Sequence, residues 1–272
     1  MTGQQETQLT GQQVDYDRIA PTYNQRFSTG GGLRDTAAAL LALAAELDAE
    51  RVLEVGCGTA YWLAALNSAG SQLYGLDFAT GMLRQAQERE GALSLVQGQA
   101  GQLAFAESRF DLIYCVNAIH HFRHQRAFVS EARRLLRPGG ALAVIGMDLH
   151  TRRHDWYIYD YFEGTLETDL ARFPSWGTVY DWMVAAGFER ILWQPVEQIH
   201  DPKVGRAVLD DPFLQKDACS QLTLLSDEEY AAGLRRIEAA LVEAGRDGRT
   251  LTFQSDITNA MLVGWIPGAS PP

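Results

Sequence analysis

The chain has 272 residues, of which 46% are hydrophobic, and its formal net charge at pH 7 is −11. This charge argues against a general nucleic-acid-binding or anionic-membrane surface, and no apolar run approaches the length of a membrane-spanning helix. Cys57, Cys115 and Cys219 have no paired spacing. This argues for a reducing, cytoplasmic location and against a disulfide framework or a metal site.

Predicted strands and helices alternate in the first half of the chain. Residues 1–13 are rich in Gln and Thr and are predicted to be a disordered tail. Apolar residues at helical spacing predict a helix over 33–48. The strands that follow, with helices between them, are predicted at 51–55, 72–76, 93–97, 110–116 and 141–147.

This alternation predicts a parallel sheet with right-handed crossovers and ligands at the carboxyl ends of the strands. Asp77, Asn117 and Asp148 lie at such ends. A sixth strand is predicted over 190–196 and a last strand over 260–266, before a tail at 267–272.

The second half of the chain contains two further regions. Residues 151–186 are rich in aromatic side chains, with predicted helices over 155–166 and from Ser175 to about Ala186. Residues 197–249 are predicted to form a helical insertion before the last strand. Ser226 and Glu229 form a capping box for a helix there, and Gly245 is predicted to end it.

The most informative stretch, 52–60, is an apolar strand that ends in a glycine-rich turn. Gly56 and Gly58 give the turn conformational freedom and let a ligand approach bare backbone. Thr59 is predicted to cap the helix that follows. Asp77, at the tip of the second strand, is placed to accept hydrogen bonds from both ribose hydroxyls of an adenosine.

Two residues favour one class of nucleotide. A dinucleotide site would have a third glycine at position 61, where this chain has Tyr61. Glu54 precedes the turn, where it would repel a pyrophosphate and attract an ammonium group. The pattern therefore favours an adenosine that carries an amino acid, as S-adenosylmethionine does.

Segments 16–23, 98–105, 110–122 and 134–146 match one family in order and spacing. With the turn, they make the chain resemble the class I S-adenosylmethionine-dependent methyltransferases, in particular the small-molecule branch of the ubiquinone- and menaquinone-biosynthesis type. The resemblance covers roughly residues 14–195 and part of the last strand.

The resemblance implies a Rossmann-like α/β fold, with one domain over 14–266. Its sheet has seven mostly parallel strands, an antiparallel last strand and helices on both faces. Ala60 stands where the family usually has glycine, and its methyl group is expected to be tolerated at the start of a helix. Gln99 stands where the family has Asp, and its carbonyl is expected to accept the bond from the adenine amino group.

The resemblance also implies methyl transfer from S-adenosylmethionine to a small, apolar or aromatic acceptor. Glu54 is expected to hold the cofactor's amino group, and Asp77 its ribose. The other expected cofactor contacts are the backbone of Gly56, Cys57 and Gly58, Phe78 and Met82 flanking the adenine, Gln99 and Ala100 at its edge, and Asn117 at the methionine part. Tyr16 and Tyr23 are seven residues apart, so they are expected to share a helix face in a lid over 14–32.

His120 and His121 follow the fourth strand, beside the expected position of the methyl group. One of them could act as a general base. The favoured alternative is that the pair orders the loop, with one ring packed and its nitrogen bonded to backbone. Trp156 and Tyr157 are expected to line a substrate cap, and Arg152 could bind an acidic group of the acceptor.

Three alternatives remain open from the sequence. The chain could be a cofactor-binding regulatory protein, an enzyme that uses the sulfonium without transferring a methyl group, or a nicotinamide dehydrogenase. Tyr61 and Glu54 argue against the last. The sequence predicts no metal and no nucleic-acid partner, and it leaves the acceptor and the oligomeric state open.

Overall fold

The computed structural model describes residues 14–24, 34–67, 70–89, 93–150 and 154–268. The helices of these ranges are α1 Tyr16–Ile19, α2 Arg34–Glu46, α3 Tyr61–Leu66, α4 Thr80–Arg89, α5 Gln125–Leu135, α6 Tyr157–Tyr161, α7 Thr165–Arg172, α8 Trp176–Ala185, α9 Ser220–Thr223 and α10 Asp227–Arg246. The strands are β1 Arg51–Val55, β2 Gln72–Asp77, β3 Ser94–Gln97, β4 Phe110–Val116, β5 Leu136–Gly146, β6 Asp155–Trp156, β7 Glu189–His200, β8 Lys203–Val204, β9 Thr252–Phe253 and β10 Ser255–Trp265.

The main sheet has the order β3-β2-β1-β4-β5-β10, and β7 pairs with the free side of β10. β1 to β5 are parallel to one another, whereas β10 is antiparallel to both β5 and β7. This confirms the predicted Rossmann-like architecture with an antiparallel last strand. Among the described residues the sheet has eight strands rather than seven, because β6 pairs with the start of β10.

The largest boundary errors fall where a strand extends beyond its most apolar segment. β10 begins at Ser255 rather than at residue 260, and β7 runs on to His200, inside the predicted insertion. β5 begins at Leu136, five residues before its predicted start at 141. In β7 and β10 the pairing continues through polar residues, so apolar runs alone underestimate the length of these strands. In β5, Leu136 pairs with Phe110 ahead of an irregularity in the ladder, and regular pairing resumes at Ala141.

The helices after β5 also differ from the prediction. The single helix expected over 155–166 is interrupted, because β6 occupies Asp155–Trp156 and a left-handed Gly164 separates α6 from α7. In the insertion, the Ser226–Glu229 capping box is present, but α10 ends at Arg246 rather than at Gly245.

Helices cover both faces of the sheet. α5 and α8 pack on one face, around Phe128 and Met183, and α2 and α3 pack on the other, around Leu40 and Leu63. A third apolar cluster joins α6, α10 and the segment from 208 to 222 within the insertion. No helix of the described ranges is long and apolar enough to span a membrane.

Candidate active site

The glycine-rich turn after β1 is clamped to the end of β2. The backbone N–H groups of Gly56 and Cys57 both donate to the carbonyl of Leu76, at 2.7 and 3.0 Å. Gly56 has φ +74°, and a Cβ at this position would lie 2.7 Å from the Cβ of Ala118. Gly56 is therefore required both by its backbone conformation and by the close approach of the loop after β4.

Asp77 ties the turn to the start of α4. Its Oδ2 accepts a hydrogen bond from the N–H of Gly58 at 2.8 Å, and its Oδ1 accepts one from the N–H of Ala79 at 2.9 Å. Burial raises the pKa of the Asp77 carboxyl, and these backbone hydrogen bonds oppose the rise. The carboxylate is thus fixed at the carboxyl end of β2, where the sequence predicts the ribose contact.

Glu54 lies at the end of β1 and is 1% exposed. Its Oε2 accepts a hydrogen bond from the hydroxyl of Tyr114, at 3.2 Å. Burial holds the pKa of the Glu54 carboxyl well above its usual value, and the nearby Asp77 raises it further. No cation of the described residues is among the groups that act on this carboxyl. A buried carboxylate of this kind fits an ammonium group supplied by a ligand.

The prediction that Thr59 caps the helix after the turn is wrong. The N-cap of α3 is Ala60, which adopts the left-handed conformation at φ 59° and ψ 31° and makes no side-chain cap. The Thr59 hydroxyl instead donates to Oδ1 of Asn24 at 2.6 Å. The extra methyl group of Ala60 therefore sits at a backbone conformation that favours glycine, not in a relaxed first helical turn.

The predicted common helix face of Tyr16 and Tyr23 is also wrong, because α1 ends at Ile19. The two rings nevertheless meet edge to face, with centroids 6.1 Å apart. The hydroxyl of Tyr16 lies 2.7 Å from Nε2 of His121, and the ring of Tyr23 lies 3.9 Å from a Cβ built at Gly58. The segment 14–24 thus lies across the turn and the loop after β4.

The two histidines after β4 have different surroundings. The ring of His120 is 8% exposed and stacks on Phe173, with centroids 3.7 Å apart. Burial lowers the pKa of His120 well below its usual value, and the charge of Arg172 lowers it further, so the ring is neutral at pH 7. His121 contacts both His120 and Tyr16. One ring is therefore packed, as the sequence suggested, while the other reaches the N-terminal segment.

The residues expected at the adenine lie around the end of β2. Phe78 is 61% exposed, whereas Met82 is 1% exposed and packs beneath α1 with Ile19. Gln99 begins a short turn and pairs with Gln102 at its other end. Ala100, the next residue in this turn, is buried.

Asn117 is the first residue after β4 and has φ 49°. A Cβ built at Gly146, on the neighbouring strand β5, would lie 3.2 Å from its Oδ1. The glycine at position 146 therefore leaves room for the Asn117 side chain between the ends of these two strands.

Trp156 and Tyr157 lie in the apolar cluster of the insertion, 7% and 1% exposed. The hydroxyl of Tyr157 donates to Oδ2 of Asp211 at 2.9 Å. Both rings are therefore buried in the packing of this cluster, Trp156 also borders a cavity, and their contact with an acceptor stays a prediction. Arg152 lies outside the described residues. Among the described ranges no group of three or more His, Cys, Asp or Glu side chains could hold a metal ion.

A buried polar network beside His120 was missed from the sequence. Oδ1 of Asp169 accepts from Arg172 at 2.6 Å, and its Oδ2 accepts from Tyr159 at 2.7 Å and from Gln221 at 2.6 Å. Arg172 also donates to Ser220 at 2.6 Å. The local signal was the i,i+3 spacing of Asp169 and Arg172; their partners in α6 and α9 are distant in sequence.

Comparison with known proteins agrees with this geometry. Residues 53–144 match the family model described as a methyltransferase domain. The chain is 32% identical over 126 residues to a demethylmenaquinone methyltransferase of Beutenbergia cavernae, covering 46% of this chain and 52% of the relative. The first curated relatives that the chain matches are covered over only 26% to 58% of their own length.

Solved structures share the fold. A proposed methyltransferase from an antibiotic biosynthesis pathway of Anabaena variabilis superposes with a TM-score of 0.65 at 21% identity, covering 84% of this chain and 96% of that one. Phosphoethanolamine N-methyltransferase 2 of Haemonchus contortus, solved with S-adenosylhomocysteine, gives 0.57 at 18% identity, covering 92% and 57%. At these identities the matches show that the fold is shared.

Proposed function

We propose that this chain is a class I S-adenosylmethionine-dependent methyltransferase that transfers the methyl group of that cofactor to a small-molecule acceptor. The observation that carries the proposal is the pair of carboxylates, Glu54 and Asp77, held at the ends of adjacent strands on either side of the glycine-rich turn. Glu54 is matched to the cofactor's ammonium group and Asp77 to its ribose hydroxyls.

When bound, the cofactor supplies a sulfonium-activated methyl group that can be displaced in line by a nucleophile. The protein's task is then to align the acceptor and to exclude water. Gly56 and Gly58 offer backbone to the ligand, while Tyr16 and Tyr23 close the N-terminal segment over it. The ring of His120 is buried against Phe173 and helps to fix the loop after β4.

The apolar residues around the loop after β4 favour an apolar or aromatic acceptor, and the Beutenbergia relative carries demethylmenaquinone in its name. We propose an acceptor of this class. Transfer of labelled methyl groups from S-adenosylmethionine to an aromatic quinol, and none to an aliphatic carboxylic acid, would support the proposal; the reverse preference would overturn it.

The cofactor site is tested by titration calorimetry with S-adenosylmethionine, S-adenosylhomocysteine and NADH. Asp77→Asn is the informative variant, because an amide oxygen can still accept one of the two backbone hydrogen bonds of the turn. We expect at least a tenfold loss of affinity for both adenosyl ligands and no NADH binding by either protein. Wild-type affinity in the variant would contradict the site.

Asp111→Asn is the matched control. Asp111 also accepts hydrogen bonds from two backbone N–H groups, those of Glu50 and Arg51, at 3.1 and 2.8 Å. It lies at the start of β4, whereas the proposed site lies at the carboxyl ends of the strands. Asp111 also forms an ion pair with Arg137 at 3.0 Å, so Asp111→Asn removes a charge and perturbs a hydrogen-bonded carboxylate away from the site. This variant is expected to bind both adenosyl ligands as the wild type does.

We propose that His121, through its contact with Tyr16, orders the closed loop rather than abstracting a proton. Tyr16→Phe removes the hydroxyl and leaves the imidazole, so a shared ordering role predicts similar losses of turnover for Tyr16→Phe and His121→Ala. A general base predicts a large loss for His121→Ala alone. His120→Phe keeps the stack on Phe173 and is expected to retain turnover.

A further inference from the structure

We propose that Tyr114 is a positioning residue for the cofactor: its phenol holds the Glu54 carboxylate in the place where that carboxylate receives the cofactor's ammonium group. The inference rests on the cofactor site proposed above and adds to it a residue that makes no contact with the ligand. It begins from the register of two neighbouring strands.

Glu54 in β1 and Tyr114 in β4 are direct partners in the parallel ladder. Side chains of paired positions point to the same face of a sheet, and the phenol is long enough to reach the carboxyl group. The two side chains are 1% and 0% exposed, and their oxygens are 3.2 Å apart. The hydroxyl of Tyr114 is thus a fixed donor at the floor of the glycine-rich turn.

The other charged or titratable groups around Glu54 cannot replace this donor. Asp77 faces it from β2 and repels it, and Cys57 and Cys115 are buried thiols with raised pKa values. Burial also raises the pKa of Tyr114 well above its usual value, so the phenol keeps its proton. Tyr114 is therefore the side-chain donor that favours ionised Glu54.

Cofactor binding should then be linked to proton release. Since burial raises the pKa of Glu54 well above its usual value, the free protein holds a proton on Glu54 more tightly than an exposed carboxyl would. The ammonium group binds the ionised form, so the proton leaves to the buffer. Removal of the Tyr114 hydroxyl favours the protonated form further and weakens binding until the pH is raised.

The experiment compares wild type, Tyr114→Phe, Glu54→Gln and the double variant by titration calorimetry from pH 6 to 9. The ligands are S-adenosylhomocysteine and 5′-methylthioadenosine, which shares the adenosine and the sulfur but lacks the amino acid. The ammonium group of S-adenosylhomocysteine titrates in the same way with every variant, so differences between variants report on the protein.

We expect Tyr114→Phe to lose about tenfold in affinity for S-adenosylhomocysteine at pH 7 and to regain part of it as the pH rises. Its affinity for 5′-methylthioadenosine should stay within twofold of wild type. In the Glu54→Gln background the same substitution should have little further effect on S-adenosylhomocysteine binding, because the residue acts through Glu54. Tyr230→Phe, which removes a phenol bonded to the Leu214 carbonyl at 2.9 Å in the insertion, is the control and should change neither affinity.

Equal losses for both ligands would overturn the proposal, since they would indicate a general packing defect. An unchanged affinity for S-adenosylhomocysteine would overturn it as well. If the wild-type protein bound no S-adenosylhomocysteine, the proposed cofactor site itself would fail. That outcome is distinct from failure of the role of Tyr114 alone.

Discussion

Single residues shape this site through backbone geometry as much as through side-chain chemistry. Gly56 and Ala60 both have positive φ, at 74° and 59°. For Gly56 this conformation carries no Cβ penalty, and the absent Cβ also leaves room for Ala118. Ala60 adopts the same left-handed region with a methyl group attached, so the turn stores strain at this position.

Replacement of Ala60 by glycine is expected to raise the free energy of unfolding by about 0.5–1 kcal/mol, because relief of left-handed strain exceeds the added entropy of the unfolded chain. Urea denaturation would measure the change. Ala65→Gly, one turn later in α3, has ordinary helical geometry and should lower stability by up to ~1 kcal/mol. Equal destabilisation by both substitutions would contradict the strain argument.

The residues of the proposed site could be found from the sequence where a local pattern marks them. Glu54, Asp77 and Asn117 each follow an apolar run, and a parallel sheet brings the ends of such runs together. The Ala60 conformation could not be found, because a helix-like sequence does not fix the dihedral of its first residue. The Tyr16–His121 contact joins residues 105 apart, which no local pattern encodes.

At the level of elements, the insertion contacts the rest of the described protein through buried and exposed groups. Arg18 of the N-terminal segment forms a two-pronged ion pair with Asp217, at 2.8 and 3.2 Å. Within the insertion, α10 crosses the segment after α6 at Gly233, where a Cβ would lie 2.2 Å from the ring of Phe162. The apolar spacing of α10 predicts the helix, but not which residue must be small.

Gly233→Ala therefore sets two effects against each other. Alanine improves helix propensity by about 1 kcal/mol, while overpacking against Phe162 costs about 1–3 kcal/mol or more. Because the Cβ would fall inside the ring's contact distance, we expect net destabilisation and a lower thermal midpoint. Gly245→Ala, in the same helix with nothing within 4 Å of its Cβ, is expected to stabilise by up to ~1 kcal/mol. Stabilisation by both substitutions would show that α10 can shift away from Phe162.

At the scale of the whole molecule, the proposed cofactor site lowers the stability of the free protein. Glu54 is buried without a cation among the described residues, and its raised pKa means that the folded state holds a proton more tightly than the unfolded state does. Tight proton binding by Glu54 contributes fully to the free energy of unfolding below the usual pKa of 4.5. This contribution is lost as the pH rises toward the pKa that the carboxyl has in the folded protein. Bound cofactor would supply the missing cation and restore this stability.

Glu54→Gln should accordingly be more stable than the wild type at pH 7, with the two proteins equal near pH 4. The gap should widen by up to ~1.4 kcal/mol per pH unit between these limits, as expected for one proton. Denaturation by urea across this pH range, without cofactor, measures the gap. Glutamine keeps the shape of the side chain and an oxygen that can accept from Tyr114, so packing should change little.

Glu131→Gln is the control with the opposite sign. The hydrogen bond and charge of Arg134 lower the pKa of Glu131, which also accepts from the N–H of Leu103 at 2.8 Å. Glu131 contributes to the free energy of unfolding above the usual pKa of 4.5. This contribution is lost as the pH falls through the lower pKa that the carboxyl has in the folded protein. Glu131→Gln should therefore be less stable than the wild type at pH 7, and the deficit should shrink toward acid pH. If both variants deviated from the wild type in the same direction, burial of Glu54 would not be the source of the pH dependence.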